Sequence, residues 1–304
     1  MTAARGEMSL VDGELTATFV PSAGMLCRSL THRGEELLAQ NEGVEAYAAA
    51  GKTMGVPLLY PWANRLGGFA YEFDGRAVSL SRDPALVAVD GNGLPIHGVV
   101  PGHLSWQPAD DANDRSLTAV LDWNGGRDAF SLFPFEHTAT YTAALADGRL
   151  EIAVSVRATG ATRVPVSFGF HPYIELPDVE RAALELELPA LDHLSVDARQ
   201  IPTGASRASA PERFALGDRV YDDGFAGARD RTSFAVSGGG RRVSVELSSG
   251  YALAQVYAPA GRRFVCFEPM TAPANALVSG DGLRAVSPGE QFAAVFRIDV
   301  GAAD

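Results

Sequence analysis

The chain has 304 residues, of which 46% are hydrophobic and 20% charged, a balance typical of a soluble globular protein. Its formal net charge of −12 argues against nucleic acid or an anionic membrane surface as a partner, since both bind clustered lysine and arginine. Two cysteines are too few for a disulfide framework. No segment has the apolar core of a signal peptide or the length of a membrane span, which predicts a cytoplasmic protein.

Alternation of apolar and polar residues is the main secondary-structure signal along the chain. Residues 44–50 are at best a short helix, and no other segment keeps a helical stripe for more than two turns. A period of two residues, which is typical of half-buried strands, recurs at residues 117–123, 135–142, 150–156, 184–188, 243–247 and 292–300.

Turn residues separate these predicted strands. The pairs Asp74-Gly75 and Asp147-Gly148 predict two-residue hairpin turns, and residues 238–240 predict a looser hairpin loop. Residues 200–215 are interpreted as a surface loop. Many strands, frequent glycine and proline, and few helices predict an all-β fold, a large antiparallel β-sandwich formed by residues 1–304 as a single domain.

A histidine follows the extended apolar run at residues 164–170 and directly precedes Pro172. A residue before proline is pushed toward extended backbone, and the proline itself donates no ladder hydrogen bond. We therefore expect His171 to lie at the rim of a sheet with its ring displayed. Because the ordinary pKa of histidine is about 6.5, such a ring can give or take a proton near neutrality.

A glutamate repeats this context near the end of the chain. Phe264, Cys266 and Glu268 alternate along one face of a predicted strand, and Pro269 is expected to end it. A carboxylate that continues an apolar face is costly unless it has a partner or a chemical role. His171 and Glu268 are therefore the candidate acid and base.

Aromatic, amide and guanidinium groups come together at residues 55–68, where two prolines interrupt an apolar stretch. Trp62 offers a flat apolar face, Asn64 both donors and acceptors, and Arg65 several fixed donors. A sugar ring needs such a surface for its C–H face and such partners for its hydroxyls. The alternative interpretation is a loop with a surface arginine and a core tryptophan.

Two further segments carry candidate positioning groups. His97 lies between Pro95 and Gly98 on a tight loop, where the backbone can come close to a ligand. Residues 222–224 hold two adjacent acids and a glycine, which is typical of a solvated turn, and Asp222 is the candidate there. The remaining histidines lack a comparable context and are expected to be structural: His32, His103, His137 and His193.

Five motifs in chain order resemble those of the aldose 1-epimerase (galactose mutarotase) family. They are the Asn-Arg motif at residues 61–65, the His-Gly pair at 96–98, the His-Pro-Tyr motif at 168–173, Asp-x-x-Phe at 222–225 and the glutamate strand at 267–271. The chain departs from the common pattern at Val99, where a second glycine is usual, and Phe170 stands where relatives differ. Both features resemble the diverged bacterial branch of the family.

The resemblance implies a β-supersandwich and the interconversion of the α and β anomers of a free aldose, without cofactor or metal. It implies that Glu268 takes the proton of the anomeric hydroxyl and that His171 protonates the ring oxygen. The implied partner is a small-molecule monosaccharide, acted on by a monomer or homodimer. The residues implied to hold it are Trp62, Asn64, Arg65, His97 and Asp222.

Two alternatives stay within carbohydrate recognition. A non-catalytic sugar-binding or sensing domain would keep residues 62–65, but it has no need of both Glu268 and His171. A hexose-6-phosphate 1-epimerase would need extra basic residues near the site. The sequence does not place the candidates for that role, which are Arg76, Arg82, Arg262 and Arg263.

Two other enzyme classes use the same residue types. A metal enzyme of the cupin kind would take His97, His171 and Glu268 as ligands, although the chain lacks the close His-x-His cluster usual there. A glycosidase would use Asp222 and Glu268 as its pair of carboxyl groups on either side of a cleft.

Overall fold

The helices are short in the computed structural model, which describes residues 6–110 and 112–303. Within these residues the α-helices are α1 (Val44–Ala50) and α2 (Ala276–Ser279). Short 3-10 turns lie at Pro21–Ala23, Pro101–His103, Phe130–Leu132 and Arg181–Ala183. None of the described helices is long and apolar enough to span a membrane.

Strands make up most of the remaining structure. In the first half of the chain they are β1 (Met8–Asp12), β2 (Leu15–Val20), β3 (Leu26–His32), β4 (Glu35–Glu36), β5 (Leu58–Leu59), β6 (Ala70–Phe73), β7 (Arg76–Ser79), β8 (Gln107–Pro108), β9 (Ser116–Trp123), β10 (His137–Ala146) and β11 (Arg149–Ala158). In the second half they are β12 (Val164–Val166), β13 (Gly169–Phe170), β14 (Tyr173–Ile174), β15 (Glu185–Leu188), β16 (Asp192–Val196), β17 (Pro202–Ala208), β18 (Glu212–Ala215), β19 (Tyr221–Ala226), β20 (Thr232–Gly238), β21 (Arg241–Ser249), β22 (Leu253–Ala258), β23 (Val265–Met270), β24 (Arg284–Val286) and β25 (Gln291–Ala302).

Two large antiparallel sheets form the sandwich. One has nine strands in the order β18-β15-β20-β21-β25-β11-β10-β9-β8. The other has eight, in the order β17-β16-β19-β22-β23-β13-β5, with β14 also paired to β23. A four-stranded sheet β1-β2-β3-β4 and the pairs β6-β7 and β12-β24 complete the fold. The predicted all-β antiparallel sandwich with few short helices is confirmed.

Aromatic rings from both large sheets meet in the core. Phe234 of β20 stacks on Phe267 of β23 with 5.5 Å between ring centroids, and Phe170 of β13 lies 4.7 Å from Phe296 of β25. Successive side chains of a strand point to opposite faces, so the neighbours of these phenylalanines point away from the core. The face of the eight-stranded sheet that is turned away from the nine-stranded sheet therefore carries the polar residues of β23.

The predicted hairpin turns are present. Asp74 and Gly75 have φ of 52° and 75°, and Asp147 and Gly148 have 53° and 74°, the two positive angles that a type I′ turn requires. The glycine-rich loop is tighter than predicted. Gly238 pairs with Arg241, which leaves only Gly239 and Gly240 between β20 and β21.

The interpretation of residues 200–215 as a loop is wrong. This segment holds β17 and β18, which are the edge strands of the eight-stranded and nine-stranded sheets. Their side chains are mostly exposed, so neither strand shows the alternation that a buried face would impose. Alternation of apolar and polar residues therefore cannot predict β17 and β18.

Candidate active site

The acid and base candidates meet on the outward face of the eight-stranded sheet. The antiparallel register that pairs Tyr173 with Cys266 places His171, two residues earlier, opposite Glu268, two residues later. His171 Nε2 lies 3.3 Å from Glu268 Oε1. The side chains are 6% and 2% exposed, so the two groups form a buried pair at the floor of a cleft.

Aromatic rings fix the imidazole of His171. The ring of Tyr173 stacks parallel to it with 4.4 Å between centroids, while the rings of Tyr257 and His97 each approach edge to face at 5.6 Å. The Tyr173 hydroxyl is in turn hydrogen-bonded to Thr53 Oγ1 at 2.6 Å. The imidazole is therefore packed on several sides and held in one orientation.

Polar side chains on the neighbouring strands lie beside Glu268 and form a polar row across the sheet. Gln255 of β22 pairs with Glu268, and Gly224 of β19 pairs with Gln255. The Gln255 amide donates to Asp222 Oδ1 at 2.8 Å. Since Gly224 has no side chain, it leaves room beside the Gln255 amide, whose oxygen would lie 3.2 Å from a Cβ there.

Arg65 faces this row from the loop that covers the sheet. Its Nη2 donates to Asp222 Oδ2 at 2.9 Å, its Nε donates to Asp90 Oδ2 at 2.8 Å, and its Nη1 contacts Asn64 Oδ1 at 3.3 Å. Burial alone would lower the pKa of Arg65, but the two carboxylates outweigh this effect and raise it. Arg65 is therefore a fixed cation at the wall of the cleft.

Left-handed backbone brings His97 beside Arg65. Asn64 and His97 have φ of 56° and 64°, and the His97 amide donates to the Asn64 carbonyl at 3.1 Å. Gly98 has φ of 83°, and a Cβ there would lie 2.1 Å from the Tyr60 carbonyl oxygen. The close backbone approach expected at this glycine is present, although it is made to the chain itself.

A single cleft collects these groups. It has a volume of about 180 Å³ and opens to solvent. The residues that line it are Thr53, Asn64, Arg65, Ile96, His97, His171, Tyr173, Asp222, Gln255, Tyr257 and Glu268. Within residues 6–110 and 112–303, no three His, Cys, Asp or Glu side chains are grouped so as to hold a metal ion. Among the described residues, the cleft is therefore a polar pocket built around two imidazoles, two carboxyl groups and one guanidinium.

Burial moves the pKa values of the central pair in opposite directions. It raises the pKa of Glu268 well above 4.5, and the Asp222 carboxylate raises it further. It lowers the pKa of His171 well below 6.5, and His97 adds to this effect. Burial also lowers the pKa of His97 to about 3, so His97 is a neutral hydrogen-bonding group at physiological pH. Both shifts of the central pair favour a state with one proton between two side chains and no net charge.

The model of the aldose 1-epimerase family matches residues 8–299 of the chain. The chain belongs to the aldose 1-epimerase family. The uncharacterized protein YihR of Escherichia coli strain K12 is 26% identical over 301 residues, which cover 96% of this chain and 92% of YihR.

Solved structures of other proteins share the fold. A galactose mutarotase-like protein from Clostridium acetobutylicum superimposes with a TM-score of 0.84 at 19% identity, covering 98% of this chain and 95% of that one. The Slr1438 protein from Synechocystis sp. PCC 6803 gives a TM-score of 0.79 at 23% identity, covering 100% and 98%. At these identities the likeness concerns the fold alone.

Most of the predicted site residues lie together in this aldose 1-epimerase family member. The cleft is lined by Asn64, Arg65, His97, His171, Asp222 and Glu268. Trp62 is the exception, since its side chain is fully buried in the core. An indole without exposed surface cannot receive a sugar ring, so the interpretation of Trp62 as a binding surface is wrong and its alternative, a core tryptophan, is correct.

Two local assignments are corrected as well. Residues 221–226 form β19 and not a turn, so Asp222 faces the cleft while Asp223 faces the other side and binds His193 Nε2 at 2.7 Å. The strand that carries Glu268 does not end at Pro269. It continues to Met270, because a proline removes only the hydrogen bond of its own nitrogen and Pro269 still lies opposite Ala254.

Other residues of the site were not singled out from the sequence. Gln255 and Tyr257 alternate along β22 and both line the cleft, so a polar amide within an apolar strand was an available signal. Tyr173 belongs to the His-Pro-Tyr motif, but its stacking on His171 was not predicted. Asp90 gave no local signal, since an aspartate followed by glycine in a turn is common.

We expect the Glu268→Gln variant to gain stability relative to the unchanged protein as the pH rises. The folded protein keeps a proton on Glu268 that the unfolded chain releases above pH 4.5, so this residue lowers stability progressively with increasing pH. Glutamine does not titrate. The difference in unfolding free energy should grow as the pH rises above about 5, by at most about 1.4 kcal/mol per pH unit.

Denaturant unfolding of both proteins across this pH range checks this expectation. Glu72→Gln is the matched control for the substitution itself, because Glu72 is an exposed glutamate on a strand. A pH-independent difference for Glu268→Gln would contradict the raised pKa of Glu268.

We expect Gly98→Ala to destabilise the fold by about 2–4 kcal/mol, because the new Cβ meets the Tyr60 carbonyl and the backbone is left-handed. Gly301→Ala is the control, since nothing lies within 4 Å of a Cβ there and φ is ordinary. Denaturant midpoints of the two variants measure the difference. Equal midpoints would mean that the 97–98 loop relaxes freely.

Proposed function

We propose that this protein is an aldose 1-epimerase that interconverts the α and β anomers of a free aldose. The observation that carries this proposal is the contact of 3.3 Å between His171 and Glu268 on the floor of an open polar cleft. Family membership supports the reaction class. The roles of individual residues and the sugar belong to the proposal.

Anomer exchange needs one base and one acid at neighbouring oxygens. Glu268 takes the proton of the anomeric hydroxyl as His171 donates a proton to the ring oxygen, and the C1–ring oxygen bond breaks to give the open-chain aldehyde. Rotation about the C1–C2 bond and reclosure with the two roles reversed give the other anomer. Both oxygens are bonded to C1 in the closed ring, so the acid and base must be adjacent, as these two side chains are.

The reaction requires one proton on the pair in total, and ring opening starts from the form that carries this proton on His171. Since the two pKa shifts favour the proton on Glu268 in the free site, it has to pass to His171 across their 3.3 Å contact before the ring opens. A state with two protons lacks the base, a state with none lacks the acid, and both carry net charge in a buried site. Since burial raises the pKa of Glu268 and lowers that of His171, it disfavours both inactive states. Activity is therefore expected over a broad pH range around neutrality.

The remaining polar groups are placed to hold hydroxyls. A guanidinium has five N–H donors, and three in Arg65 have protein partners, which leaves one on each Nη for a ligand. His97 lies edge-on to His171 and is neutral, so it offers a hydrogen bond without adding charge.

Charge in the cleft favours an aldose without phosphate. Arg65 is the only lysine or arginine lining the cleft in the described part of the chain, and two carboxylates neutralise it. The other arginines considered for phosphate have partners outside the cleft: Arg76 binds the Pro134 carbonyl, Arg82 lies over Phe69, Arg262 contacts Asn41 and Arg263 pairs with Glu175.

The glycosidase alternative conflicts with the contacts of Asp222. One of its oxygens accepts from Arg65 and the other from Gln255. A glycosidase needs one carboxyl group that donates a proton to the leaving oxygen and a second that acts as nucleophile or base. Burial suits Glu268 to proton donation, so Asp222 would have to take the second role. Both of its oxygens already accept hydrogen bonds, so Asp222 is better suited to positioning.

We expect Glu268→Gln and His171→Asn each to lower kcat by at least about 100-fold with the fold intact, because each removes one partner of the proton transfer. Saturation-transfer NMR between the anomeric signals of each sugar measures exchange, over common hexoses, pentoses and hexose 6-phosphates. His193→Asn is the control. His193 is also paired with a carboxylate, but it lies away from the cleft, and its removal should leave exchange unchanged.

The outcomes separate the candidate functions. Exchange of free sugars that is lost in both variants supports the proposal. Sugar binding without exchange would identify a binding domain, and faster exchange of 6-phosphates than of free hexoses would identify a sugar-phosphate epimerase. Near-normal turnover by Glu268→Gln would show that the assignment of the base is wrong.

We expect Arg65→Ala mainly to raise KM, by about 10- to 100-fold, since it removes charge-assisted hydrogen bonds to hydroxyls but neither proton-transfer group. Exchange rates over a range of sugar concentrations separate KM from kcat. A loss confined to kcat would instead assign Arg65 to the chemical step.

A further inference from the structure

Asp90 touches Arg65 from outside the cleft. Its side chain is 7% exposed, against 32% for Asp222, and it is not among the residues that line the cleft. Its Oδ2 accepts from Arg65 Nε at 2.8 Å. Arg65 is thus held by one carboxylate on the ligand side and by a second, more deeply buried one behind it.

The turn that contains Asp90 uses only the other oxygen. Asp90 Oδ1 accepts the backbone N–H groups of Asn92 and Leu94 at 2.8 and 2.9 Å, and the Asp90 amide donates to the Leu94 carbonyl. An asparagine side chain could accept the same two bonds. The turn therefore requires only one side-chain oxygen at this position. It does not explain why Asp90 has a second oxygen, Oδ2, in contact with Arg65.

Another turn of the chain, at Asp197, has the same hydrogen bonds and shows which contacts such a turn requires. Asp197 Oδ1 accepts the N–H groups of Arg199 and Ile201, and the Asp197 amide donates to the Ile201 carbonyl. There Oδ2 has only a 3.4 Å contact with Arg199 of the same turn, and the side chain is 38% exposed. The buried contact of Oδ2 with a cleft residue is thus particular to Asp90.

The Asp90 contact decides which way the guanidinium faces. Without it, Asp222 is the one carboxylate left on Arg65, and a carboxylate and a guanidinium with no other constraint favour a two-bond arrangement. Arg65 would then turn toward Asp222 and occupy the oxygens and N–H groups that a sugar would use. Small displacements of a positioning group can cost about 100-fold in rate.

We propose that Asp90 is a positioning residue that orients Arg65 for the substrate, an inference that rests on the proposed function. Arg65, the one lysine or arginine lining the cleft among the described residues, is thus held between two carboxylates where it meets uncharged hydroxyls. Asp90 itself does not touch the substrate. Its direct contact with the cleft is made through Arg65, and its charge also acts on His97.

A double-mutant cycle on anomer exchange tests this proposal with Asp90→Asn, Arg65→Ala and the combined variant. Asp90→Asn keeps the turn and should raise KM by about 10- to 100-fold in the otherwise unchanged protein. In the Arg65→Ala background the same change should alter KM by less than about twofold, since its direct contact with a cleft residue is already removed. Asp197→Asn alters the equivalent turn elsewhere and should leave KM unchanged.

Wild-type exchange is measured first, so that the two proposals can fail separately. If the unchanged protein exchanges no aldose, the proposed function is wrong and this inference falls with it. If the unchanged protein is active but Asp90→Asn has a normal KM, the positioning role is wrong. Equal effects of Asp90→Asn with and without Arg65 would also overturn it, because a contribution made only through the fold is additive.

Discussion

The site depends on the antiparallel register between the segments β13–β14 and β23. Side chains alternate between the two faces of a sheet, so a slip of one residue would turn His171 or Glu268 into the core. Phe170 and Phe267, which precede these two residues, pack against phenylalanine rings of the nine-stranded sheet at 4.7 and 5.5 Å. Each buried ring contributes about 1.5–3 kcal/mol, so packing on one face fixes the alignment of acid and base on the other.

Burial of ionisable groups on this face is compensated by their arrangement. His171 and Glu268 carry no net charge when they share one proton, which lowers the cost of removing them from water. Arg65 is 14% exposed and has two carboxylate partners, so its charge is neutralised where it lies. The cleft is therefore polar, and no cation of the described residues lies in it without a carboxylate partner, which suits a ligand that offers hydroxyl groups.

The sequence predicted the parts of the fold that local chemistry determines. The hairpin turns at Asp74-Gly75 and Asp147-Gly148 follow from residues that tolerate positive φ, and the half-buried strands follow from alternation. Strands β17 and β18 could not be found in the same way, because edge strands with two exposed faces carry no burial pattern. Trp62 was misplaced for a related reason, since an aromatic residue beside polar ones is equally consistent with core and with surface.

Some site residues can be recognised from the sequence and others cannot, and the difference is whether their polarity conflicts with their local surroundings. Glu268 stands out because a carboxylate continues an apolar strand face, and the same reasoning, applied to the amide of Gln255 in β22, would have found a second cleft residue. Asp90 gives no such conflict, since its turn is chemically the same as the turn at Asp197. Only the folded chain distinguishes the two aspartates, by placing Arg65 against one and solvent against the other. A residue that acts through a distant partner is thus recognised from tertiary contacts, whereas a buried acid or base can be recognised from its own strand.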